Sequence, residues 1–255
     1  MLKCMTLADK TRTVTGTPKQ TLENFSHVVT LKPGLSEDEI ARFQTQLPGE
    51  LPREIRELLT YAAGFEVASE QLLKSRRMGD TAGVLFTGSG DIGLSILPCP
   101  VAVLGDGCGN FWVVDVDPSG AWGSILFVCH DPPVIAVQAA DLASFLDQAL
   151  NPAGTDPQNT LDYVRKAALT RIWNEDPWLV SVRDARLAQD SVVSKFAEQL
   201  PETFGVADLR SRKVGSGFSW GKAGPGADLR RYGAQLIFGV EQKAPGLLSR
   251  MFSRR

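Results

Sequence analysis

Apolar positions follow two rhythms along this chain: a helical spacing over residues 36–62, and short unbroken runs over residues 99–137. In the first stretch Ile40, Phe43 and Leu47 fall on one face. Ser36 and Glu39 form a capping box ahead of them, with Leu35 placed to staple against Ile40. Pro48-Gly49 ends that helix, and Pro52 opens a second one that turns Ile55, Leu58, Leu59 and Ala62 inward and Arg53, Glu54, Arg56 and Glu57 outward. Gly64 reads as its C-terminal stop.

The second rhythm predicts four strands. Val101–Leu104 and Phe111–Val116 flank a turn, Gly105-Asp106-Gly107-Cys108-Gly109-Asn110, dense in residues that tolerate positive φ. Asp117-Pro118-Ser119-Gly120 closes the second strand, and Ser124–Cys129 and Val134–Val137 follow across equally short connections. Turns this short dictate antiparallel pairing, because a parallel crossover needs about a dozen residues or more. Asp141 then caps a helix carrying Leu142, Phe145, Leu146 and Leu150 on one face.

Ahead of these elements, residues 1–24 show no periodicity and read as an extended or partly disordered arm, followed by a short strand at Phe25–Leu31. Residues 65–83 have no clear period. A strand at Val84-Leu85-Phe86 and a turn at Gly88-Ser89-Gly90-Asp91 come next.

Beyond the linker Asn151-Pro152-Ala153-Gly154, Asp156 and Pro157 open a helix with Leu161, Val164, Ala168 and Leu169 inward. Trp173 and Trp178 flank a turn and are placed to dock on the preceding domain. Helices are expected at Trp178–Leu187 and, capped by Asp190, through Val193, Phe196 and Leu200. From Pro201 the pattern turns to glycine-rich strands at Val206–Arg210, Phe218–Gly221 and Gln235–Val240.

Helices segregated from an antiparallel sheet make this an α+β protein. The expected divisions are an arm (1–34), an α+β domain (35–150), a helical segment (151–200), and a small basic glycine-rich β element with its tail (201–255). The last ten residues are basic and weakly amphipathic.

Three patterns carry a resemblance: LPGELPREIRELLTYAAGF, LGDGCGNFWVVDVD and QAADLASFLDQAL. Together they resemble the SUKH superfamily of bacterial immunity proteins, which also includes the yeast cell-wall-assembly regulator. The shared features are Leu-Pro before a helix with a leucine pair, a glycine-rich turn leading to a strand that ends in aspartate, and a closing helix with a serine-phenylalanine step. Ala62-Ala63-Gly64 stands where the family more often has Asn-Gly, with glycine kept where it is needed. The resemblance covers about residues 35–150. It implies a non-enzymatic cytoplasmic protein that neutralises a polymorphic toxin by stoichiometric binding, its sheet and acidic rim covering the toxin. A regulatory or scaffold role on the same fold is the alternative.

Charge agrees with a protein partner more than with nucleic acid. Residues 1–150 hold 11 Lys and Arg against 18 Asp and Glu, and residues 151–255 hold 16 against 11. An acidic front half favours a basic partner. The candidate contacts are Asp106, Asn110, Asp115, Asp117 and Asp131, taken as an exposed rim. The basic stretch 210–233, where Phe218, Trp220 and Tyr232 interleave with Arg210, Arg212, Lys213, Lys222, Arg230 and Arg231, has the composition of a nucleic-acid-binding segment.

No catalytic or cofactor signature is present. Cys4, Cys99, Cys108 and Cys129 have no CxxC spacing and only two histidines to join them, which speaks against zinc. In a reducing compartment they read as small core residues and one turn residue, with Cys99 facing Cys129 across the sheet as the alternative. Asp106, Asp115 and Asp117 lack the ligand alternation of a calcium loop. The glycine-rich turn opens a strand, whereas phosphate cradles open a helix. Cys108 with His130 and Asp131 is the one constellation that would suit a thiol enzyme. No run approaches the length of a membrane-spanning segment.

Overall fold

The computed structural model describes residues 16–67, 82–83, 94–224 and 226–242. Of the expected arm, residues 1–15 lie outside the described residues, and Pro18–Asn24 form a helix, α1. Its signal is local: Thr17 and Gln20 exchange side-chain and backbone hydrogen bonds in a capping box, with Pro18 at the first helical position. The strand β1, Val29–Pro33, follows. The helix α2, Glu37–Gln44, starts on the expected Ser36–Glu39 box, and α3, Arg53–Tyr61, starts after Pro52. Gly64 does not stop α3. The helix ends at Tyr61 because Ala62 is already extended (φ −153°) and begins β2, Ala62–Val67, which pairs antiparallel with β1. A two-residue strand, β3, Ala82–Gly83, completes this three-stranded sheet. The strand expected at 84–86 and the turn at 88–91 lie outside the described residues.

The central meander matches the hydrophobic pattern closely. It comprises β4, Pro100–Gly105, β5, Phe111–Val116, β6, Trp122–His130, and β7, Pro133–Ala139, all antiparallel. The helix α4, Leu142–Leu150, is capped by the Asp141 carboxylate, which accepts from the Ser144 N–H. Beyond the linker, Pro157–Asn159 forms only a single 3-10 turn. Thr160 then caps a longer helix, α5 (161–175), which contains a π-helical stretch at Val164–Ala168.

The helix expected over Trp178–Leu187 divides into a strand, β8, Leu179–Ser181, and a short helix, α6, Val182–Arg186, capped by Ser181. Its first residues pair with a strand that lies farther along the chain, so tertiary pairing overrides local helical spacing. Next come α7, Ser191–Glu198, β9, Phe204–Asp208, β10, Gly217–Ser219, β11, Leu229–Arg231, and β12, Ile237–Glu241. β11 has no counterpart among the expected strands.

The glycine-rich C-terminal strands divide between two sheets. β8, β9, β11 and β12 form one four-stranded sheet in the order β11-β12-β9-β8. β10 instead pairs with β7, making the central sheet five-stranded in the order β10-β7-β6-β5-β4. Side-chain alternation along the central strands then produces two cores. Val101, Val103, Trp112, Val114, Ile125, Phe127, Val134 and Ala136 face the helical layer of Leu22, Ile55, Leu58, Leu59, Phe145 and Leu146. Ala102, Val113, Leu126, Val128, Ile135 and Val137 face Ala207, Leu209, Phe238 and Val240 of the C-terminal sheet. Both faces of the central sheet are covered, so the expected mechanism, in which this sheet lies against a toxin, does not fit the fold.

One backbone crossing fixes the helical layer against the sheet. Gly120, at φ +88° in the β5–β6 turn, approaches Gly49 so closely that a Cβ on it would sit 2.8 Å from the Gly49 Cα. Neither position has room for a side chain.

Candidate functional site

The five residues expected on one acidic rim occupy two opposite ends of the central sheet. Asp106, Asn110 and Asp131 lie at the end formed by the β4–β5 and β6–β7 turns, and Asp115 and Asp117 lie at the β5–β6 end. The nine-residue β6 runs between them. At about 3.3 Å per residue the two ends are about 26 Å apart.

At the first end, Asp106 organises the glycine-rich turn from inside. Its Oδ1 accepts from the backbone N–H groups of Cys108 (2.8 Å) and Asn110 (3.1 Å), and its Oδ2 accepts from Asn110 Nδ2 (2.7 Å). Asp106 is only 5% exposed and Asn110 9%, which corrects the expectation that they stand free in solvent. The carboxylate needs donors once buried, and a turn whose N–H groups converge supplies them.

This arrangement fixes a histidine. A carboxylate only accepts, so Asn110 must direct its NH₂ to Asp106 and its carbonyl oxygen to the other side. That oxygen accepts from the backbone N–H of His130 (3.1 Å) and lies 2.9 Å from His130 Nδ1. Nδ1 therefore donates to Asn110, which fixes the orientation of the exposed imidazole. Gly109, at φ +85°, makes room for the ring: a Cβ there would lie 3.2 Å from His130 Cε1. Cys108 and Asp131 are both exposed beside this histidine. Among the described residues no hydrogen bond joins the Cys108 thiol to His130.

A cavity of about 480 Å³ opens at the same end. Leu94, Pro133, Trp220 and Leu229 give it apolar walls, Gly221, Gly224 and Gly226 leave one side without bulk, and Ser95, His130 and Asp228 supply polar groups. Trp220 donates its indole N–H to the Cys129 carbonyl (3.3 Å).

At the opposite end, Asp115 is buried in a bidentate pair with Arg231. Nη1 reaches Oδ1 and Nη2 reaches Oδ2, both at 2.7 Å, and the side chains are 7% and 6% exposed respectively. Asp115 is thus engaged within the chain. Asp117 folds its own turn, accepting from the Ser119 hydroxyl (2.6 Å) and from the N–H groups of Ser119 and Ala121. The Ser119 hydroxyl bond, aided by the backbone donors, holds its carboxyl below the ordinary range against a smaller opposing effect of burial.

The basic segment is largely engaged internally too. Arg210 pairs with Asp208 and Asp190, Lys222 with Asp176, Arg230 with Asp228 and Arg231 with Asp115, while Phe218 is buried. These pairs replace the continuous basic strip that nucleic acid would need. The thiols do not pair: Cys99 precedes β4 near the β5–β6 end, whereas Cys129 lies at the β6–β7 end opposite Val134. Burial pushes both thiols up, keeping them neutral. Among the described residues no group of His, Cys, Asp and Glu is placed to hold a metal ion, and no helix is long and apolar enough to cross a membrane.

The order of helix pair, glycine-rich hairpin, antiparallel meander and closing helix is now complete. Residues 34–148 match the SMI1 / KNR4 family (SUKH-1). The matched segment ends within α4, so α5 to α7 and the C-terminal sheet lie outside it. No curated protein and no solved structure matches the chain. The matched segment contributes His130, Asp131 and the glycine-rich turn to the cavity end, and the region beyond it contributes Trp220 and Asp228. Sequence reasoning had singled out Trp220 and Arg231 only as parts of a basic stretch. Their partners, Cys129 and Asp115, are far away in sequence, and no local signal announces them.

Proposed function

We propose that this chain is a non-enzymatic binding protein that captures a basic protein partner stoichiometrically, as an immunity protein captures a toxin in the cytoplasm. The observation that carries this reading is the SUKH-1 match over residues 34–148. Family members are generally immunity or regulatory proteins without catalysis of their own. With both sheet faces covered, the contact surface falls to the cavity end, where Asp131, His130 and Cys108 are exposed. Asp106 and Asn110 act there by shaping the turn.

An acidic first half steers encounter more than it deepens affinity, because long-range attraction acts on diffusion while close contacts set dissociation. Association should slow with added salt, the Debye length being about 8 Å at physiological ionic strength. Asp131→Lys should lower the on-rate. Asp117→Lys, about 26 Å away on the strand spacing, should lower it less.

The test is co-expression with toxins encoded beside this gene, scored by host survival and followed by calorimetry on the purified pair. One-to-one binding that protects the host supports the proposal. Turnover of a substrate that is lost in a folded Cys108→Ser protein would replace it with the enzyme reading.

A further inference from the structure

The cavity beside the glycine-rich turn has a definite chemical preference. We propose that it receives a single arginine or lysine side chain of the protein partner, an inference that rests on the protein-binding reading above. Its lining includes the Asp228 carboxylate, which only accepts. The Asp106–Asn110 relay holds the His130 ring in the cavity wall through the contact of its Nδ1 with Asn110 Oδ1. Arg230 reaches only Oδ2 of Asp228, through Nε (3.0 Å) and Nη2 (2.7 Å). Among the described residues none donates to Oδ1. Asp131, next to His130, adds a negative charge at the rim, since the Asp228 charge is balanced by Arg230. The Trp220 N–H, the natural donor of this wall, is already taken by the Cys129 carbonyl.

A donor-rich cation with an apolar stem satisfies all of these features. The stem lies along Leu94, Pro133 and Trp220, as long basic side chains do on apolar surfaces, and the cation gains from the indole and the carboxylates. The same chain already places Arg171 over Trp178 (5.1 Å) and Lys222 over Trp173 (5.6 Å). The cavity's 480 Å³ lies within the range of about 300–1,000 Å³ typical of sites for small ligands, ample for one side chain. An anionic occupant would face the Asp228 carboxylate, and a purely apolar one would cover its Oδ1 without supplying a donor.

The test uses the full chain and two probes of nearly equal shape, the N-acetyl amides of arginine and of its neutral isostere citrulline. Binding is read from nitrogen–proton NMR spectra, with the Trp220 indole signal assigned by its loss in Trp220→Phe. The arginine probe should shift the Trp220 indole and the Ser95 and His130 amides saturably, and the citrulline probe should bind at least about tenfold more weakly, a difference of about 1.4 kcal/mol. Ser95→Trp, which fills the cavity from an exposed position, should abolish the shifts while leaving the remaining spectrum in place. Should that variant fail to fold, Asp228→Asn should weaken the arginine probe alone. Equal binding of both probes, or no shift at Trp220 with either, overturns the inference. Full affinity of a Ser95→Trp protein for its protein partner also overturns it and leaves the binding reading intact. Absence of any one-to-one protein partner defeats that broader reading, whatever the probes do.

Discussion

Replacing Arg231 with Met should be among the most damaging single substitutions in this protein. The guanidinium holds both oxygens of Asp115 and also donates to the carbonyls of Ile96 (3.2 Å), Ala234 (2.7 Å) and Gln235 (2.9 Å). Met fills similar space but leaves a buried carboxylate without its cation and three carbonyls without a donor. Removing one member of a buried ion pair costs about 3–5 kcal/mol, a large part of a total stability of about 5–15 kcal/mol. Asp115→Asn should cost less, about 1–3 kcal/mol, because the amide oxygen still accepts and the three carbonyls still serve Arg231. The double variant Asp115→Leu with Arg231→Met should recover part of the loss of Arg231→Met, since an apolar pair leaves no buried charge, and the coupling should exceed about 0.5 kcal/mol. Urea unfolding followed by tryptophan fluorescence measures the wild type, Arg231→Met, Asp115→Asn, Asp115→Leu and the double variant, the Asp115→Leu protein closing the cycle from which the coupling is read. A loss below about 1 kcal/mol for Arg231→Met, the range of exposed ion pairs, would refute the view that this pair locks the C-terminal sheet onto the central one.

Gln138, fully buried, accepts from the Trp112 indole (2.9 Å) and donates to Gln148 (2.9 Å) and the Asn159 carbonyl (3.2 Å), so Gln138→Leu should cost about 1–3 kcal/mol in the same assay. Gly120→Ala combines a strained positive φ with a 2.8 Å contact on the Gly49 backbone, and should lower the thermal midpoint where an exposed glycine such as Gly233 tolerates the change better. Burial pushes the Asp208 carboxyl up, but Arg210's hydrogen bonds and charge outweigh it and hold it below the ordinary range. Its folded pKa is thus below the unfolded one, so its stabilisation is complete above the ordinary value of about 3.9 and is lost as pH falls through the folded value. Arg210→Leu should therefore flatten the acid limb of the stability curve below about pH 4. Asp106→Ala should free Asn110 to reverse and release the His130 ring from its Nδ1 contact, which imidazole nitrogen shifts would report directly.

What the sequence determined by itself was set by contacts a few residues long. Ser36 and Glu39 cap a helix by bonding across three positions, Asp141 caps another in the same way, and the turn at Gly105–Asn110 follows from residues that tolerate positive φ. The meander and the glycine-rich hairpin were therefore legible, and so was the α+β class. Thr17 and Gln20 carried the same kind of signal for α1, although the polar composition around them masked it. Only the tertiary structure decided where buried charges and sheet faces found their partners. The apolar runs at Val101–Leu104 and Ile125–Cys129 lack the polar alternation of a one-sided sheet, yet nothing local says that residues beyond 200 cover the second face. Asp115 read as an exposed acid until Arg231, 116 residues away, neutralised it. Leu179–Ser181 read as helix until β9 offered it a pairing edge. Local hydrogen bonds are encoded where they form, whereas burial is a property of the whole packed chain, and so the rim read as one acidic strip became two ends joined by β6.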